Sequence, residues 1–86
     1  MKPQKTRTLV LYGRYGCHLC DDMRAALEVQ RASLGFDFTE IDITGDPGLE
    51  ADYGTRVPVL TGGDTEICCY FLDLEALRRY FSEPQG

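Results

Sequence analysis

The sequence predicts an α/β domain, a mixed four-stranded sheet flanked by helices, and three observations carry that prediction. Stretches rich in β-formers ("RTLVLY", "FDFTEIDI", "VPVLTGGDTEICCYFL") alternate with stretches whose apolar residues recur every three to four positions. Glycine or proline punctuates the junctions between them. The length of 86 residues suits one hydrophobic core and not two. Residues 1–6 read as a flexible N-terminal tail and 7–82 as a single domain.

Arg7 to Tyr12 forms the first predicted strand, stopped by Gly13. Leu19, Met23, Ala26, Leu27 and Leu34 then keep the period of an amphipathic helix, which Gly35 ends. Residues 36 to 43 form a second strand. Its Phe36 and Phe38 share one phase while Ile41 and Ile43 share the other, which suits a parallel strand covered on both faces. The connection between these two strands is expected to be right-handed. Residues 44 to 56 carry turn residues and room for a short helix before Gly54. Two more strands are expected around a Gly62-Gly63 hairpin, with Pro58 at a strand start or edge. Leu74, Leu77 and Phe81 mark a last helix over 73–81, with Asp73 as its N-cap and Glu83-Pro84 closing it.

A net charge of −5 without blocks of one sign argues against nucleic acid and against an anionic membrane surface as partners. No window reaches the apolar length of a membrane span, and the run Leu9 to Tyr12 is too short for a signal-peptide core. A cytoplasmic protein is expected, in a compartment where paired cysteines are more often catalytic or metal-binding than structural.

The chemistry concentrates in "YGRYGCHLCDDM", residues 12 to 23. If the helix begins at Cys17, that sulfur lies beside backbone N–H groups without intrahelical partners, which favour the thiolate. Arg14 and a protonated His18 would tune Cys17 further in that direction, while Asp21 and Asp22 oppose it. Cys20, one turn later, is placed to attack a mixed disulfide formed by Cys17. As a structural staple the pair is weak, because a four-residue loop yields only about 2 kcal/mol by chain entropy. As half of a metal site it needs two further ligands. Cys68 and Cys69 supply them poorly, because adjacent strand residues face opposite ways. They read instead as small apolar strand residues, one buried and one near the surface.

At this point the chain resembles the glutaredoxins, and more closely the small glutaredoxin-like proteins of the thioredoxin fold that carry Cys-His-Leu-Cys. The resemblance runs from Thr8 to Phe81 and rests on "LVLYGRYGCHLCDDM", "EIDI" and "RVPVL". It implies a thioredoxin-like β-α-β-α-β-β-α fold with a cis Val57-Pro58 bond beside the redox cysteines. It also implies that Cys17 is the nucleophile, Cys20 the resolving thiol, and Arg56, Val57 and Pro58 the substrate-binding loop.

The chain departs from glutathione-using glutaredoxins at three places. Arg14 stands for a lysine, Arg56 for a threonine, and "YFLD" for a Gly-Gly-acid run, setting Tyr70 to Leu72 where glutathione's γ-glutamyl end rests. The reading is thus a monomeric thiol–disulfide oxidoreductase without metal or other cofactor, acting on protein or small-molecule disulfides. Its electron donor would be glutathione or a protein reductase. A non-catalytic thioredoxin-fold binding module and a thiol-based metal carrier are the alternatives.

Overall fold

The computed structural model describes residues 7–82. Its elements are β1 (Thr8–Gly13), α1 (His18–Leu34), β2 (Asp37–Asp42), α2 (Pro47–Tyr53), β3 (Val59–Gly62), β4 (Thr65–Cys69) and α3 (Leu74–Ser82). This is the predicted order of elements. The tail at 1–6 and the stop at Glu83-Pro84 lie outside the described residues.

The strands lie in the order β2-β1-β3-β4. β1 and β2 are parallel, with Thr8 opposite Asp37 and Gly13 opposite Asp42. β3 runs antiparallel to β1, and β4 antiparallel to β3. Leu9, Leu11, Met23, Leu27, Phe36, Leu60, Leu77 and Tyr80 form the core, so both strands of the sheet centre and two helices meet there. Burying side chains of this size fully is worth roughly 1.5–3 kcal/mol each.

Local signals set the helix ends. Asp46 accepts the Leu49 N–H at 3.1 Å, and Pro47 starts α2 where its missing N–H costs nothing. Asp73 accepts the Ala76 N–H at 3.0 Å, as its position predicted. Gly35 closes α1 through its N–H, bonded to the Arg31 carbonyl at 2.9 Å.

Two expectations are corrected. β2 is an edge strand, so Phe38 and Ile41 are only half-buried and Thr39 and Glu40 are exposed. The fully covered members of that pattern, Phe36 and Ile43, flank the strand rather than belong to it. The hairpin turn is Gly63-Asp64 rather than Gly62-Gly63, because Gly62 is the last residue of β3 and pairs with Thr65. A Cβ at Gly62 would lie 2.5 Å from the Tyr80 ring and hydroxyl, so this glycine lets α3 approach the sheet.

Candidate redox site

β1 delivers the chain to the site. A turn closed by the Cys17 N–H bonding the Arg14 carbonyl at 3.2 Å carries it from Gly13 into α1. Cys17 is the N-cap of α1, with extended backbone (φ −82°, ψ 118°). Its Sγ accepts the Cys20 N–H at 3.1 Å. A sulfur in this position does what a serine or aspartate oxygen does at other helix starts, and it gains most as an anion.

Cys17 and Cys20 face each other as a disulfide pair, with Cα atoms 5.1 Å apart, inside the usual span for such bonds. The two sulfur-bearing residues differ in access. Cys17 is half-buried, whereas Cys20 is 1% exposed and lies under β1. A Cβ on Gly13 would come within 2.8 Å of the Cys20 sulfur, so the last residue of β1 forms the wall behind it.

The Val57-Pro58 peptide is cis. Pro58 is buried immediately before β3, and Tyr12 lies opposite Val59, so this loop and the dithiol occupy the same end of the sheet. The Pro58 carbonyl accepts the Tyr70 N–H at 2.8 Å. Tyr70 has a left-handed backbone (φ 68°), an unfavourable state for a side chain of its size, and its hydroxyl donates to the Thr55 carbonyl at 2.8 Å. Within "YFLD", Tyr70 and Phe71 are exposed, but Leu72 turns inward onto the core and Asp73 caps α3.

The two arginines singled out from sequence are both engaged by carboxylates. Arg14 donates to Glu50 through Nη1 (2.6 Å) and Nη2 (2.5 Å), and Nη2 also reaches the Gly54 carbonyl at 3.1 Å. The hydrogen bond from Arg14 holds the Glu50 carboxyl below the usual carboxylate range. Arg56 gives Nη1 to both carboxylate oxygens of Glu66 at 2.5 Å and Nη2 to the Asp52 carbonyl at 2.7 Å. Its guanidinium sits 5.8 Å from the ring of Tyr53, which itself stacks on Tyr12. Burial pushes the Tyr53 phenol above its ordinary range. His18 is exposed on the first turn of α1.

Cys68 and Cys69 depart from expectation: both are half-buried, since β4 is an edge strand. Cys68 lies opposite Leu60 and packs on the core, where burial raises its thiol pKa. Among the described residues, no three His, Cys, Asp or Glu side chains gather as a metal-binding group. No helix among them is long and apolar enough to cross a membrane. Sequence reasoning missed Gly13, Glu50 and Glu66. Glu50 and Glu66 lie 36 and 10 residues from their arginines, and nothing local marks either pairing.

The profile of the family described as "Glutaredoxin-like domain (DUF836)" matches residues 8–82. The chain belongs to this glutaredoxin-like family. The uncharacterized proteins of Mycobacterium tuberculosis and Mycobacterium bovis are each 36% identical to it over 73 residues, spanning 79% of this chain and 75% of theirs. The solution structure of protein Ne2328 from Nitrosomonas europaea is 44% identical and superposes with a TM-score of 0.82, covering 95% of this chain and 100% of its own. The X-ray structure of XcR50 from X. campestris is 38% identical with a TM-score of 0.69, covering 88% and 99%. Thioredoxin 1 of Thermosipho africanus, at 17% identity and a TM-score of 0.57 over 85% of this chain and 92% of its own, shares the fold. This glutaredoxin-like chain therefore has a thioredoxin-like architecture, with its cysteine pair at the end of β1.

Proposed function

We propose that the protein is a thiol–disulfide oxidoreductase that reduces protein or small-molecule disulfides through Cys17 and Cys20. The observation that carries this reading is the Cys17 sulfur at the N-cap of α1, accepting a backbone N–H, with the buried Cys20 sulfur directly behind it.

In the reduced protein the Cys17 thiolate attacks one sulfur of a substrate disulfide. A Cys17–substrate disulfide forms, and the other substrate sulfur leaves as a thiolate that takes up a proton. Cys20, having lost its proton, then attacks the Cys17 sulfur and expels the second substrate thiol. Two electrons and two protons pass to the substrate, and the Cys17–Cys20 disulfide remains. The helix start supports the anion in the first step, by roughly 0.3–2 kcal/mol for a helix terminus. The burial of Cys20 restricts substrate attack to Cys17.

The Val57-Pro58 loop offers backbone groups to an extended substrate, in the manner of an added strand. The exposed Tyr15 and Phe71, at the same end of the fold, supply apolar contact to a protein partner. Electrons return from glutathione or a protein reductase, and the exchange itself needs no metal or other cofactor. The protein would work as a monomer in the cytoplasm. The test is catalytic reduction of a disulfide-bonded protein such as insulin in the presence of a dithiol reductant. Turnover should vanish in Cys17→Ser. Equal turnover by Cys17→Ser and the unmodified protein would refute the assignment.

A further inference from the structure

Arg56 directly precedes the Val57-Pro58 loop and lies, like Arg14, at the dithiol end of the sheet. Such a cation would ordinarily attract the carboxylates of a small anionic thiol. Here Glu66, reaching from the edge strand β4, already accepts from Arg56 Nη1 through both carboxylate oxygens, and the Asp52 carbonyl accepts from Nη2. Arg14 is held in the same way by Glu50 and the Gly54 carbonyl.

We propose that Glu66 is a specificity residue: by occupying Arg56 it turns the site away from carboxylate-bearing thiols of the glutathione class and toward protein dithiols as reductant. The inference rests on the redox reading of Cys17 and Cys20. Binding of such a thiol is an exchange of partners at Arg56. The Arg56 and Glu66 side chains are 36% and 39% exposed, so an incoming carboxylate can compete for the pair. At Nη1 it must take the place of an equivalent ion pair. Glu66 is then left unpaired beside a second negative charge, on a protein whose net charge is already −5. A reductant without carboxylates near its sulfur suffers no such loss.

The step concerned is reduction of the Cys17–Cys20 disulfide. One thiolate attacks a ring sulfur, giving a mixed disulfide and one cysteine thiolate. A second thiol, from the same dithiol or from another monothiol, attacks the reductant sulfur of that mixed disulfide and expels the other cysteine as its thiolate, so that two electrons enter the protein and the reductant leaves as its disulfide.

The experiment measures the rate of this reduction by alkylation and intact mass, at equal thiolate concentration, with glutathione, glutathione diethyl ester and dithiothreitol. In the unmodified protein the ester, which lacks carboxylates, should act at least as fast as glutathione. Glu66→Gln should raise the glutathione rate roughly two- to fivefold, the upper part of the range for one exposed ion pair to the freed Arg56. The ester and dithiothreitol rates should stay within about twofold, and adding Arg56→Gln should cancel the rise.

A glutathione rate above that of the ester in the unmodified protein would overturn the proposal, and that comparison needs no variant to fold. So would an equal rise for all three reductants in Glu66→Gln. If dithiothreitol finds no Cys17–Cys20 disulfide to reduce, the redox reading itself fails; if it does and only the glutathione pattern is wrong, Glu66 alone is misassigned.

Discussion

Gly13→Ala tests the wall behind the resolving sulfur. The new methyl would sit 2.8 Å from Cys20 Sγ and 3.3 Å from Cys20 Cβ, where ordinary contact begins at 3.4 Å. The sulfur must therefore retreat by about 0.6 Å, and at 1% exposure it has little room to do so. Misplacing a reacting atom by 1 Å costs up to ~100-fold in rate, so about tenfold is expected for this shift. The loss should fall on one step. With Cys68 and Cys69 replaced by Ser, an aromatic disulfide that releases a coloured thiol reports both halves of the reaction. The first release follows attack by Cys17 and the second follows attack by Cys20. Gly13→Ala should leave the first within about twofold and slow the second about tenfold. Over-packing should also cost ~1–3 kcal/mol in a urea titration. A second release as fast as that of the parent, in a folded variant, would show that Gly13 does not position Cys20.

Four further outcomes are expected. Limited alkylation of the reduced protein should label the half-buried Cys17 before Cys20 and before Cys68, whose thiol pKa burial pushes up. Under the same treatment with a disulfide substrate, Cys20→Ser should accumulate a mixed disulfide on Cys17 detectable by intact mass. Gly62→Ala should destabilise the fold by about 1–3 kcal/mol through Tyr80, and Tyr80→Ala should relieve part of that in a double-mutant cycle. Finally, the hydrogen bond from Arg14 lowers the Glu50 pKa in the folded state, and backbone hydrogen bonding by Thr44 lowers that of Asp42. Their contribution is complete above the ordinary carboxylate range and disappears as pH falls through it toward the folded-state values. Acid unfolding curves should show this loss, and Glu50→Gln should flatten the acid limb; a curve of unchanged shape would mean the pair adds nothing.

The strand-helix-strand beginning was legible because local periodicity and punctuation agree there, and Cys17 was legible as a helix start because it follows the turn at Gly16 and precedes a clean amphipathic run. The stretch 44–56 read only as turn residues with room for a short helix, and its start at Asp46-Pro47 came from the structure. The order β2-β1-β3-β4 was not readable from periodicity: alternation at Phe36, Phe38, Ile41 and Ile43 does not distinguish a central strand from an edge strand whose flanks are buried. Gly62 looks like a turn residue in sequence because its need for close approach comes from Tyr80, 18 residues later. The same holds for Arg14 and Arg56. As letters they are cations beside a dithiol, and only the fold brings Glu50 and Glu66 to them.

Cys17 and Cys20, if they act as proposed, form a reversible two-electron couple at this site. A titration in dithiol/disulfide buffers, quenched with acid and read by alkylation and mass, measures it directly. One two-electron transition is expected at roughly −200 to −270 mV, between the potentials of glutaredoxins and thioredoxin, lost in both Cys17→Ser and Cys20→Ser. A protein that shows no transition across that range, or one that survives either substitution, would contradict it.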